Sequence, residues 1–86
     1  MEYNIERFEL FFEAYRKGLA AAMKKYPDEY MPGLDSETIA DRIIAKVKAK
    51  GIEAVTIAQS KGFKHACKEF GIKQTYKEIT KYLMGN

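Results

Sequence analysis

At 86 residues and 9.9 kDa the chain has room for one domain and no more. Its 47% hydrophobic and 31% charged content is that of a soluble globular protein; two prolines and six glycines exclude collagen-like and low-complexity chains, and no apolar run approaches the ~18 residues of a membrane span. The net charge of +3 is divided: residues 1–45 carry six Lys/Arg against nine Asp/Glu, and residues 46–86 carry nine Lys against three Glu.

Residues 4–25 read as a long amphipathic helix. Ile5, Phe8, Phe12, Tyr15, Leu19, Ala22 and Tyr26 recur at alternating spacings of three and four, which is one face at 3.6 residues per turn, and Phe11 and Met23 widen it. Asn4 is placed to cap the helix; glutamates come early and Arg16, Lys17, Lys24 and Lys25 late, as the helix dipole favours. Gly18 lowers helix propensity and reads as a mark of close contact. Pro27 ends the helix, and residues 27–34 form a connector with a turn signal at Pro32-Gly33. Its Tyr30, Met31 and Leu34 are expected to pack back on the core.

A second helix is expected over 36–50, capped by Asp35 or Ser36, with Ile39, Ile43 and Val47 as its stripe, Ala40 and Ile44 alongside, and Gly51 just past its end. Residues 52–59 fit a short helix through Ile52, Val55 and Ala58, and their β-branched side chains also tolerate a strand; with no second strand in the pattern, a short helix is expected. A third helix spans 60–70 with Ser60 as N-cap, Gly71 as its left-handed terminator and a stripe of Phe63, Ala66, Cys67 and Phe70. The last spans 75–84, where Thr75-Tyr76-Lys77-Glu78 has the form of a capping box and Tyr76, Ile79, Tyr82 and Leu83 form the stripe. The fold class is therefore all-α: one helical domain over 1–86, a compact bundle of four main helices with room for a short fifth, closing on a helix-turn-helix-like pair.

The residues offer little to catalysis. The one histidine, His65, and the one cysteine, Cys67, stand about 200° apart around a helix, so they do not form a nucleophile–base pair. Cys67 falls on the apolar stripe and His65 among the lysines. Zinc needs about four ligands and this chain has two, badly spaced. Asp35, Glu37 and Asp41 lack any calcium-loop spacing and read as charges around a helix start. GxxxxGK[ST] and GxGxxG are absent. No enzyme, no cofactor and no metal are expected. A lone cysteine makes no internal disulfide, and the first residues do not read as a secretory leader, so a reducing cytoplasmic setting is expected.

The charge points elsewhere. A basic half is the electrostatic footprint of a polyanion partner, although it equally describes a solvated helix face. Within 60–83 two short helices meet at a turn that starts at Gly71. If the second enters a groove N-terminus first, Lys73, Gln74, Thr75 and Lys77 lead, with Lys61, Lys64, Lys68 and Lys81 toward the backbone. Gln reads adenine and Lys meets guanine, but all three arginines (Arg7, Arg16, Arg42) lie in the acidic half. Lys77 also occupies the position where the usual motif has an apolar residue, so an ordinary helical hairpin stays open. Phe63, Phe70, Tyr76 and Tyr82 stack on unpaired bases if exposed and belong to the core if the stripes hold. The bulk of Phe8, Phe11, Phe12 and Tyr15 offers a homodimer or partner contact through the first helix.

The stretch Ala66-Cys67-Lys68-Glu69-Phe70-Gly71-Ile72-Lys73-Gln74-Thr75-Tyr76-Lys77-Glu78-Ile79, on through Tyr82-Leu83, resembles the C-terminus of small phage and prophage proteins that end in a Cys-Lys-x-x-Gly-Ile-Lys-x-Thr-Tyr-x-x-Ile pattern. The segment from Phe8 to Tyr30, with Ala14-Tyr15-Arg16-Lys17-Gly18-Leu19 and Tyr26-Pro27, is similar to theirs as well, so the likeness touches about two-thirds of the chain. It implies a phage or mobile-element origin, a helical fold and no catalytic residues. It also implies an alternative to nucleic-acid binding: a protein-binding inhibitor or adaptor that occupies a host protein, including one of a defence system.

Overall fold

Apolar residues at helical spacing have to be covered, and in this chain the first helix carries most of them. The computed structural model describes residues 3–30, 32–51 and 61–85. Helix α1 spans Ile5–Lys25, with the Asn4 side chain accepting the Arg7 amide, and it buries Phe8, Phe11, Phe12, Ala14, Tyr15, Gly18, Leu19 and Ala22. Its two ends depart from the expected stripe: Ile5 is 72% exposed and Tyr26 is 39% exposed. A 3₁₀ turn, Pro27–Glu29, follows. Tyr30 packs against the core and Leu34 is half-buried, while Met31 lies outside the described residues.

Helix α2 spans Ser36–Lys50; of the two candidates Asp35 is the cap, its carboxylate accepting the Thr38 amide at 2.7 Å, and Gly51 closes the helix at φ 85°. It buries Ala40, Ile44 and Val47, with Ile39 and Ile43 half-buried. The inward face is thus centred on Ala40. The segment 52–59, and Ser60 as a cap, lie outside the described residues. Helix α3 spans Lys61–Phe70 and buries Gly62, Phe63, Ala66 and Cys67; α4 spans Tyr76–Leu83 and buries Ile79 and Leu83.

The architecture has α1 as a central rod on which α2, α3 and α4 each pack, α3 most extensively. Phe63 lies against Phe11, Phe12 and Tyr15 with ring centroids 4.8–5.7 Å apart, in edge-on and tilted geometries that aromatic quadrupoles favour. Two glycines permit the approach. A Cβ on Gly18 would stand 2.4 Å from that of His65, and one on Gly62 would stand 2.9 Å from the Tyr15 carbonyl oxygen. The radius of gyration, 12.2 Å, matches the about 12 Å of a compact domain of this length. Among the described residues there is no strand, and the fold is a small all-α bundle of four helices.

The structure corrects one expectation here. Phe8, Phe11, Phe12 and Tyr15 are covered by the chain's own helices, with Phe11 and Tyr15 at 0% exposure, so the aromatic face of α1 is core and not a homodimer contact.

Candidate nucleic-acid interface

Helix α3 turns Gly62, Phe63, Ala66 and Cys67 inward. At 100° per residue Lys61, Lys64 and Lys68 then fall within an arc of about 60° on the opposite side. Lys64 and Lys68 are exposed. Lys61 is not free: its Nζ lies 2.7 Å from the Glu29 carboxylate and 3.4 Å from the centroid of the Tyr26 ring. The hydrogen bond to Glu29 raises its pKa above the ordinary lysine value. An acid from the first half neutralises this lysine, and Lys61 leaves the candidate set.

The turn into α4 is built by the backbone. Gly71 takes φ 64°, its N–H donates to the Lys68 carbonyl at 3.3 Å, and the Ile72 N–H donates to the Cys67 carbonyl at 2.9 Å. That pair of bonds is a Schellman motif with Ile72 at its apolar position. Lys73, Gln74 and Thr75 follow, all exposed. The Thr75 hydroxyl accepts the Glu78 amide at 3.3 Å, so it caps α4 and is occupied in doing so. Lys77 and Lys81, one helical turn apart, both stand opposite buried Ile79 and Leu83 and are exposed.

The two helices of this pair meet where Phe70 stacks on Tyr82, ring centroids 5.6 Å apart at 27°. Otherwise α1 is their common platform. At its N-terminal end, the Asn4 N–H donates to the Leu83 carbonyl at 2.7 Å and the Arg7 guanidinium donates to the Tyr82 carbonyl at 3.1 Å, lying 4.9 Å over the Tyr82 ring. Arg7 is the side chain the sequence reading missed: it comes from the acidic half to bond the Tyr82 carbonyl near the end of α4, a contact 75 residues away that no local pattern reveals. Lys61 beside Tyr26 and Tyr82 beside Arg7 therefore lie toward opposite ends of α1. Lys61 aside, the candidate lysines are exposed on α3, on the turn and on α4.

Three acids of the first half are held in ion pairs. Arg16 bonds Glu13 at 3.5 Å and Asp41 at 3.3 Å, and Glu29 takes Lys61. Among the described residues Lys64, Lys68, Lys73, Lys77 and Lys81 are in no ion pair. The aromatics divide: Phe63 is buried, Phe70 and Tyr82 cover each other, and Tyr76 is 51% exposed.

Cys67 is buried, and desolvation pushes its pKa up to about 11, which leaves it protonated and unreactive near neutral pH. His65 is exposed, with its Cβ set against Gly18. Among the described residues no three His, Cys, Asp or Glu side chains gather as a metal site. A cleft of about 650 Å³ lies between α1 and α2, floored by Phe8, Phe12 and Ile44 and rimmed by Glu9, Arg16 and Lys48. Tyr3 and Arg16 line it too; the Tyr3 hydroxyl and the Arg16 Nε are buried without hydrogen-bond partners, and burial raises the Tyr3 pKa. Nothing in the sequence marked this cleft, because it arises from how two helices cross.

The fold defines a small all-α protein whose α3 and α4 carry exposed lysines. No family model matches the chain, and no match is found among curated proteins or solved structures. Among the described residues no helix is long and apolar enough to cross a membrane.

Proposed function

We propose that this is a non-enzymatic protein of phage type that works in the host cytoplasm by binding nucleic acid along the α3–α4 flank. The observation that carries the reading is the set of five exposed lysines, Lys64, Lys68, Lys73, Lys77 and Lys81, none of them in an ion pair among the described residues. Residues 61–85 hold six lysines against two glutamates. Such a surface attracts phosphates and gains free energy by releasing their condensed counterions. Without an arginine in α3 or α4, binding is dominated by the phosphate backbone, and base reading is limited to Gln74 and the lysines beside it.

The test is fluorescence anisotropy with labelled oligonucleotides at two salt concentrations. Affinity in the micromolar range or tighter at about 50 mM salt, falling on the order of a hundredfold by about 200 mM, is expected. Lys73→Glu and Lys77→Glu each weaken binding. Absence of salt-dependent binding overturns the reading. A second reading, a protein-binding inhibitor or adaptor directed at a host protein, is favoured by Ile5 and Leu10, exposed on α1 at 72% and 56%. In that case Ile5→Ser and Leu10→Ser abolish capture of the host protein while charge reversal at Lys77 leaves it intact.

A further inference from the structure

The α3–α4 pair has one feature that phosphate attraction does not use. Tyr76 lies at i−3 and i−7 from Ile79 and Leu83, the spacing of a shared helix face, yet those two are buried and Tyr76 is 51% exposed in the first turn of α4. An aromatic side chain carries about 150–250 Å² of surface that is ordinarily covered. Here the ring makes no aromatic or cation contact among the described residues. Its neighbours Lys73, Gln74 and Lys77 are exposed too. The other aromatics of the basic half are unavailable to a ligand: Phe63 is in the core, and Phe70 and Tyr82 are stacked on each other.

A duplex presents base edges to a reader, and this corner reads edges poorly. Helix α4 has eight residues, the Thr75 hydroxyl is committed to capping, and α3 and α4 contain no arginine to fork onto guanine, the Arg7 that reaches α4 being bonded to the Tyr82 carbonyl. An unpaired base presents a π-face instead, which a free tyrosine ring accepts whatever the sequence, while lysines on both sides take the flanking phosphates.

Resting on the nucleic-acid reading above, we propose that Tyr76 is a stacking platform for an unpaired base, with Lys73 and Lys77 on the adjoining phosphates, so that the favoured partner is single-stranded nucleic acid. The chain has no tryptophan, so Tyr76→Trp installs a single reporter at the platform. Oligothymidine and oligouridine of about 20 nucleotides are compared with a DNA duplex of the same length, about two helical turns. The tryptophan emission is quenched by the single strands and not by the duplex, and the two single-strand arms tell DNA from RNA. Tyr76→Ala weakens single-strand binding by about tenfold or more and leaves duplex binding within about twofold, whereas Tyr76→Phe restores it. Tyr76 is exposed, so unchanged circular dichroism melting confirms that the variants fold. Equal effects of Tyr76→Ala on both polymers, no effect on either, or tighter binding of the duplex overturns the platform while leaving nucleic-acid binding standing. Absence of salt-dependent binding to any of the three overturns both.

Discussion

Gly18 and Gly62 set how closely α3 lies on α1. In a helix interior alanine is favoured over glycine by about 1 kcal/mol, so both positions look improvable from propensity alone. The packing reverses that sign. A Cβ on Gly18 meets the His65 Cβ at 2.4 Å, and one on Gly62 meets backbone and ring of Tyr15 at 2.9 Å. Neither obstacle is the free end of a side chain, so the helices have to separate. Gly18→Ala and Gly62→Ala are each expected to lose about 1–3 kcal/mol in urea unfolding, and because they share one interface the double variant falls short of the sum. A more stable Gly18→Ala would show that the two helices slide apart freely. Gly18 stands out in the sequence because it interrupts an otherwise strong helix. Gly62 does not, since it sits in the first turn of α3 where glycine is cheap, and only the opposing Tyr15 gives it a role.

The helices themselves were legible because their signals are local. Asn4, Asp35 and Thr75 each accept an amide three residues on, and Gly51 and Gly71 take positive φ at helix ends, as their positions in the pattern imply. What periodicity leaves open is the rotation of a helix about its axis. In α2 two overlapping stripes compete, and the one through Ala40, Ile44 and Val47 is buried. The Asp35 cap adds a pH dependence. Hydrogen bonds from the Thr38 amide and then the Thr38 side chain hold its pKa below the 3.8 of an ordinary aspartate. Such a group contributes stability above that value and loses it as pH falls through the lower folded value. Asp35→Asn keeps a capping oxygen and removes the titration. Thermal melts between about pH 5 and pH 2 are expected to show the wild type losing more than the variant. Parallel curves would mean that the cap hydrogen bond is not distinctive of the folded state.

At the scale of the molecule, an acidic half and a basic half fold so that the lysines of the basic half, Lys61 aside, are exposed. The outward faces of α3 and α4 could be read from the spacing of their lysines, since Lys64 and Lys68, and Lys77 and Lys81, each lie opposite the apolar stripe. The capture of Lys61 could not, because Glu29 is 32 residues away and meets it only when the end of α1 is brought beside the start of α3. The difference is measurable as a count of ions. A single strand contributes a slope of about −0.7 to log K against log salt for each phosphate neutralised, so five free lysines give at most about −3.5, where a sixth would give about −4.2. Lys64→Gln and Lys77→Gln are each expected to flatten the slope by about 0.7. Lys61→Gln is expected to leave it unchanged and to lower the melting temperature instead, since the lysine's partners are Glu29 and the Tyr26 ring. If Lys61→Gln flattens the slope as much as Lys64→Gln does, the contact with Glu29 opens on binding, and Lys61 joins the phosphate contacts.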